Sequence, residues 1–179
     1  MAAAARTATE ADLLQTPRDG YKYELVDGEI RVSPAGSRHG AVCLALGARI
    51  LAHVRQRSLG HVFDSSTGFR MPGGNVRSPD VGFVARGRLE GERAPDGFCP
   101  VPPDLAIEVL SPEDRTRAVL DKVGEYLQAG VSEVWVIDPR RRAAVLHRSL
   151  TDVRSIGSDD ALEGAILPGF SCRLAEILD

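Results

Sequence analysis

Apolar and polar residues alternate through Tyr21-Lys22-Tyr23-Glu24-Leu25-Val26, break at Asp27-Gly28, and resume at Ile30-Arg31-Val32. A period of two predicts strands, and Asp-Gly between them is a strong hairpin signal. Ahead of this pair, Thr9 with Asp12 three residues on has the pattern of a capping box, for a short helix ended before Pro17. The period lengthens over residues 37–58, where Cys43, Leu46, Ile50 and Val54 recur at helical spacing with Gly60 just beyond. Short strands are expected at 61–63 and 68–71, followed by a turn at Pro72-Gly73-Gly74-Asn75. Residues 80–85 and 105–110 are nearly continuous apolar runs, read as buried strands, and the Gly- and Pro-rich stretch 86–103 between them as a loop. Ser111-Pro112-Glu113-Asp114 has the order preferred at a helix start, so a helix is predicted from there to Ala129, stopping at Gly130. Residues 133–137 form a further strand that returns at 143–147 across Asp138-Pro139-Arg140-Arg141-Arg142. The last forty residues are less patterned, with a closing helical turn at 174–178. Strand, helix, strand over 105–137 implies a right-handed crossover and a mixed α/β sheet.

Composition narrows the class. The 179 residues are 43% hydrophobic and 26% charged, the profile of one globular domain, here spanning 1–179 with residues 1–8 as a disordered tail. No run reaches the roughly 18 apolar residues of a membrane span, and the first residues lack the apolar stretch of a secretory signal. Cys43, Cys99 and Cys172 are odd in number, far apart and without a Cys-x-x-Cys pair, which argues against a disulfide framework and against a thiolate zinc site and makes a reducing cytoplasm the expected location. The net charge of −3 is unlike a bulk nucleic-acid binder, although a local basic stripe suffices for one.

Charge inside apolar strands changes the picture most. Asp80 opens one strand and Glu108 sits within another, where a carboxylate needs a cation to offset its desolvation. Together they suggest oxygen ligands for magnesium or manganese acting on phosphate; separately, each reads as a turn cap or an arginine partner. Lys122 lies at the border of the helical stripe Val119, Leu120, Val123, Tyr126 and Leu127, with Asp121 and Glu125 pointing outward. Snorkelling to solvent and leaning toward Glu108 both remain open for it. Glu24 shares a strand face with Lys22 and Val26, and the simpler reading is a solvated acid. His39, near the start of the long helix, is open to reading as a phosphate contact or a surface residue, and the surface reading is favoured. Arg140, Arg141 and Arg142 fit a nucleic-acid backbone or a solvated hairpin tip equally well.

Several of these blocks resemble the Uma-two family of restriction-endonuclease-like proteins, within the PD-(D/E)xK nuclease superfamily. They are Tyr23-Glu24-Leu25-Val26-Asp27-Gly28-Glu29-Ile30, Ser78-Pro79-Asp80-Val81, residues 103–112 from Pro-Asp-Leu-Ala-Ile-Glu to Ser-Pro, Lys122 with Tyr126, and residues 129–139. The resemblance covers residue 8 onward. It implies a mixed central β-sheet flanked by helices, with a restriction-endonuclease-like core. It further implies magnesium or manganese held by Asp80, Glu108 and the carbonyl of Val109, DNA as substrate, and Glu24 as an additional acid. The superfamily lysine usually stands two residues after the glutamate, which here is Leu110; Lys122 matches a family lysine on the next helix. His39 matches a recurrent family histidine.

The expected function is therefore a divalent-metal-dependent endonuclease cleaving DNA phosphodiesters, with a homodimer as the simplest means of cutting both strands. The competing reading is a nuclease-like DNA-binding or partner-binding module with little turnover. A hydrolase of smaller phosphoesters would need a closed pocket.

Overall fold

The structure, a computed structural model, describes residues 7–17, 19–33 and 36–178. Most of the expected 1–8 tail lies outside the described residues; within them, Ala8 N–H donates to Gly28 O at 2.7 Å, tying the chain to the first hairpin. Helix α1 (Glu10–Leu13) is capped reciprocally by Thr9 and Asp12. Strands β1 (Lys22–Val26) and β2 (Glu29–Ser33) form the expected hairpin. Asp27 and Gly28 take φ of 51° and 76°, the paired positive angles that a right-twisting two-residue turn needs.

Helix α2 (Ser37–Arg57) buries Val42, Leu46, Ile50 and Val54 along one stripe. Ser58, in the left-handed region, ends it, and Gly60 instead opens β3 (Gly60–Asp64). Two-residue strands β4 (Phe69–Arg70) and β5 (Val76–Arg77) follow, then β6 (Val81–Ala85) and β7 (Leu105–Val109). Helix α3 (Thr116–Gln128) crosses to β8 (Glu133–Asp138), which turns back into β9 (Ala143–His147) and β10 (Val153–Ile156). The chain ends in β11 (Ala161–Leu162), β12 (Cys172–Arg173) and α4 (Ala175–Leu178).

The main sheet has the order β10-β9-β8-β7-β6-β3. Its central pair β7–β8 is parallel, as the intervening helix requires, and the other pairs are antiparallel. Strand alternation sorts the core into two layers. Val81, Phe83, Leu105, Ile107, Val109, Trp135 and Ile137 face α2, and Val84, Ala106, Val134 and Val136 face α3. Glu108 falls in the second set by parity. A smaller sheet, β2-β1-β5-β4, lies beside the main one. Gly82 marks a close approach between the two sheets: a Cβ there would stand 2.6 Å from the ring of Phe69.

Three expectations need correction. α3 begins at Thr116 rather than at Ser111, because the Asp114 carboxylate accepts from Ser111 N–H at 2.6 Å and closes a separate turn before extended Arg115. Leu120, assigned to the buried stripe, is 48% exposed. Glu125, expected to point outward, is drawn in by Arg77 and Asn75. The 86–103 loop is packed in part, with Leu89 and Cys99 buried and Cys99 bridged to Phe69.

Candidate active site

Asp80 stands just ahead of β6, and its N–H donates to Ile107 O at 2.9 Å, which sets it against the end of β7. Both carboxylate oxygens are engaged. Lys22 Nζ lies 2.8 Å from Oδ1, while Oδ2 accepts from Val109 N–H at 2.8 Å and lies 3.1 Å from His39 Nε2. Glu108, on the α3 face of β7, meets two side chains one helical turn apart: Lys122 Nζ at 2.9 Å and Tyr126 O–H at 2.8 Å. Lys122 also lies 3.3 Å from Glu24 Oε1. Glu24 in turn accepts from Ser78 N–H at 2.7 Å and lies 3.5 Å from Arg77, which pairs onward with Glu125. Lys22, His39, Asp80, Glu108 and Lys122 line one cleft of about 710 Å³, whose apolar wall includes Leu44 and Leu51 of α2.

The electrostatics separate the acids. Burial alone would raise the Asp80 pKa, but the His39 hydrogen bond and the Lys22 charge outweigh it and hold the carboxyl well below the usual range. Glu24 is likewise lowered against its burial, by Lys122, Lys22 and Arg77. Glu108 goes the other way, since its burial prevails over the two lysines and raises it. The Asp80 hydrogen bond, helped by the contact with Cys43, pushes His39 up to about 10. Burial opposes the charge on Lys22, yet Glu108, Asp80 and Glu24 together raise its pKa. The cluster thus holds two acids favoured as carboxylates, Asp80 and Glu24, beside Glu108, made more basic, with lysines from two separate elements. Neighbouring carboxyls whose environments push them apart are suited to different protonic tasks.

A family model for Uma2, described as "Putative restriction endonuclease", matches residues 10–175. The chain belongs to the Uma2 family. Its fold superposes on the crystal structure of a protein from Anabaena variabilis titled a "putative nuclease belonging to DUF820". The TM-score is 0.82 at 19% identity, over 95% of this chain and 97% of that one. At that identity the likeness is one of fold, and no curated protein matches the chain.

Within this Uma2 chain, Asp80, Glu108, Lys122 and Glu24 come together through direct or shared contacts, and Val109 joins them by its N–H to Asp80. Leu110 packs against the apolar layer under α3, and the ammonium at Glu108 arrives from Lys122. Two bland readings fail. Glu24 is buried rather than solvated, because Ser78 N–H, Arg77 and Lys122 enclose it. His39 is held in the cleft by Asp80 rather than lying on the surface. Lys22 was missed; its signal was its place two residues before Glu24, on the same strand face. Arg140 and Arg141 sit at the β8–β9 turn, their N–H groups both donating to Asp138 Oδ1 at 3.0 Å. They line a second hollow of about 580 Å³ that shares Ser111 and Asp114 with the main cleft.

Among the described residues no helix is long and apolar enough to cross a membrane. All three cysteines are free.

Proposed function

We propose that this protein is a divalent-metal-dependent nuclease hydrolysing DNA phosphodiester bonds at the Asp80–Glu108 cluster. The observation that carries this reading is the convergence of two buried carboxylates from neighbouring strands with the Lys122 ammonium, on one cleft. Membership of Uma2 and the nuclease title of the Anabaena variabilis protein support it.

The donor set fits a hard cation. Asp80 and Glu108 offer carboxylate oxygens, and their fields already stabilise a positive charge on Lys22. Asp80, Glu108 and the Val109 carbonyl would hold magnesium or manganese. Such an ion supplies Lewis-acid polarisation and an acidified water at neutral pH. The chain's own groups do the rest. Tyr126 O–H fixes the rotamer of Glu108. Lys122, anchored by Glu108 and Glu24, presents positive charge where negative charge develops on a phosphate. His39 orients Asp80 from the opposite oxygen to Lys22. Arg140 and Arg141, reached through the Ser111–Asp114 turn, extend the cleft with charge of the sign that a phosphate backbone requires. Cutting both strands is simplest for a twofold pair of such chains.

One observation favours the binding-module reading: Lys22 already neutralises Asp80, so the carboxylates are satisfied without an ion. Purified protein incubated with plasmid and with single-stranded DNA, with Mg2+ or Mn2+, separates the two. Cleavage that is lost on chelation and in both Asp80→Ala and Glu108→Ala is expected. Cleavage persisting at equal rate in both variants refutes the mechanism, and no cleavage of any nucleic acid favours the binding module.

A further inference from the structure

The cleft carries a second donor set, which shares Asp80 with the proposed carboxylate chemistry and adds a thiol that this chemistry does not use. His39 and Cys43 lie one turn apart on α2, and both line the cleft. His39 Nε2 is 3.1 Å from Asp80 Oδ2 and 3.9 Å from Cys43 Sγ. The thiol also lies 3.5 Å from Nδ1. One ligand atom from each residue falls within 4.8 Å of the other two. Zinc at about 2.0–2.3 Å from four ligands sets neighbouring ligand atoms about 3.3–3.6 Å apart. The His39–Asp80 separation lies just under that spacing and the His39–Cys43 separation just over it. The trio's backbone positions are fixed, because Asp80 is held to β7 by Ile107 and Val109 while residues 39 and 43 share one helix. An imidazole nitrogen, a thiolate and one carboxylate oxygen, with a fourth position facing the cleft, suit zinc or cobalt. Magnesium discriminates against sulfur and prefers oxygen throughout.

We propose that His39, Cys43 and Asp80 form a site for a thiophilic divalent cation, zinc in the natural setting. It is distinct in donor chemistry from the Asp80–Glu108 pair but shares Asp80 with it. Occupancy therefore acts directly on the carboxylate that the nuclease reading assigns to magnesium, and zinc would oppose magnesium there. The zinc site itself does not depend on that reading.

Cobalt(II) is the probe, because cobalt–thiolate coordination gives an intense charge-transfer band in the near ultraviolet and four-coordination strengthens the visible bands. The reduced, metal-free full-length protein is titrated with Co2+ in parallel with Cys43→Ser, His39→Gln and Glu108→Gln, each checked for an unchanged circular-dichroism spectrum. The wild type and Glu108→Gln are expected to show the thiolate band at one equivalent. Cys43→Ser is expected to lose it, and His39→Gln to bind cobalt more weakly by about tenfold or more, a loss that even outer-shell changes at metal sites reach. Zinc added afterwards should bleach the cobalt bands. No thiolate band in the wild type, or a band that survives Cys43→Ser, overturns the proposal. Neither result bears on DNA cleavage with magnesium, which the plasmid assay reads separately.

Discussion

Glu108 and Glu133 are both buried acids in adjacent parallel strands, near opposite ends of the β7–β8 pair, where Leu105 faces Glu133 and Glu108 faces Val136. Their surroundings differ in kind. Glu133 is enclosed by two fixed donors, Trp135 Nε1–H at 3.1 Å and Ala165 N–H at 2.9 Å, with the half-exposed Arg148 at 3.4 Å. The chain passes so close that a Cβ on Gly164 would stand 2.2 Å from a Glu133 oxygen. Glu108 has one fixed donor, Tyr126, and one on a flexible stem, Lys122, and it borders the cleft. A strand acid surrounded by backbone and indole donors fastens one segment to another. An acid held by a flexible ammonium beside open volume can exchange that partner for a ligand. Burial alone therefore does not set Glu108 apart from Glu133; its place on the cleft does.

Exchanging each glutamate for its amide tests this contrast most strongly. Glu108→Gln should lower magnesium-dependent DNA cleavage by about 10²–10³-fold or more, the scale on which a single group stabilising charge in the transition state acts, with only a minor change in urea midpoint. Glu133→Gln should keep cleavage and lose stability, because its NH2 confronts a donor that needs an acceptor, at a cost of about 1–3 kcal/mol. Equal behaviour of the two variants in both assays would dissolve the distinction. Next in size is Lys122→Met, which removes the exchangeable cation and leaves Glu24 and Glu108 facing each other through it. Cleavage should fall by about a hundredfold, and Lys122→Arg should recover part of it; unaltered turnover in Lys122→Met would remove the lysine from the mechanism.

Lys22→Met asks whether the ammonium on Asp80 competes with a metal. Titration calorimetry with Mn2+ should show tighter binding than in the wild type, by about tenfold for each 1.4 kcal/mol of competition removed. Weaker binding would mean that Lys22 organises the site rather than occupying it. The smallest expected effect lies away from the cleft's carboxylates. His147 is buried with its Nδ1 unpartnered, and burial lowers its pKa from 6.5. The unfolded chain takes up this proton first, so folding stability should decline as the pH falls below 6.5 and level off beneath the folded value. His147→Phe should flatten that part of the stability–pH curve; an unchanged slope would show that His147 protonates freely in the fold.

Local rules made much of the architecture legible. The Asp27-Gly28 turn, the α2 stripe, the apolar runs of β6, β7 and β8, and the parallel crossover are each dictated by spacing within one segment. Strands β5, β11 and β12 were invisible because two residues carry no period, and their pairing is set by distant chain. The same limit governed the site. Asp80 and Glu108 stood out as charges in apolar company, a contrast visible along the chain. Glu24 looked solvated because Arg77 and Lys122, which enclose it, come from a different strand and a helix. His39 and Lys22 gained their meaning only from Asp80, reached across the gap between α2, β1 and the main sheet. The start of α3 was misplaced for the opposite reason, since a good capping sequence was used up by its own turn at Ser111 and Asp114.

The placing of Lys122 on the crossover helix also bears on synthesis. A nascent chain that has left the ribosome only as far as β7 holds Asp80 and Glu108 but no ammonium at Glu108. The cluster closes only when α3 has folded back over the sheet and β8 has paired beside β7, which needs residues to about Asp138. Termination between Glu108 and Lys122 yields fragments with both acids and without the lysine. The lysine thereby joins the two acids only after the strands that carry them exist, while β9 and β10 of the same sheet are still to come.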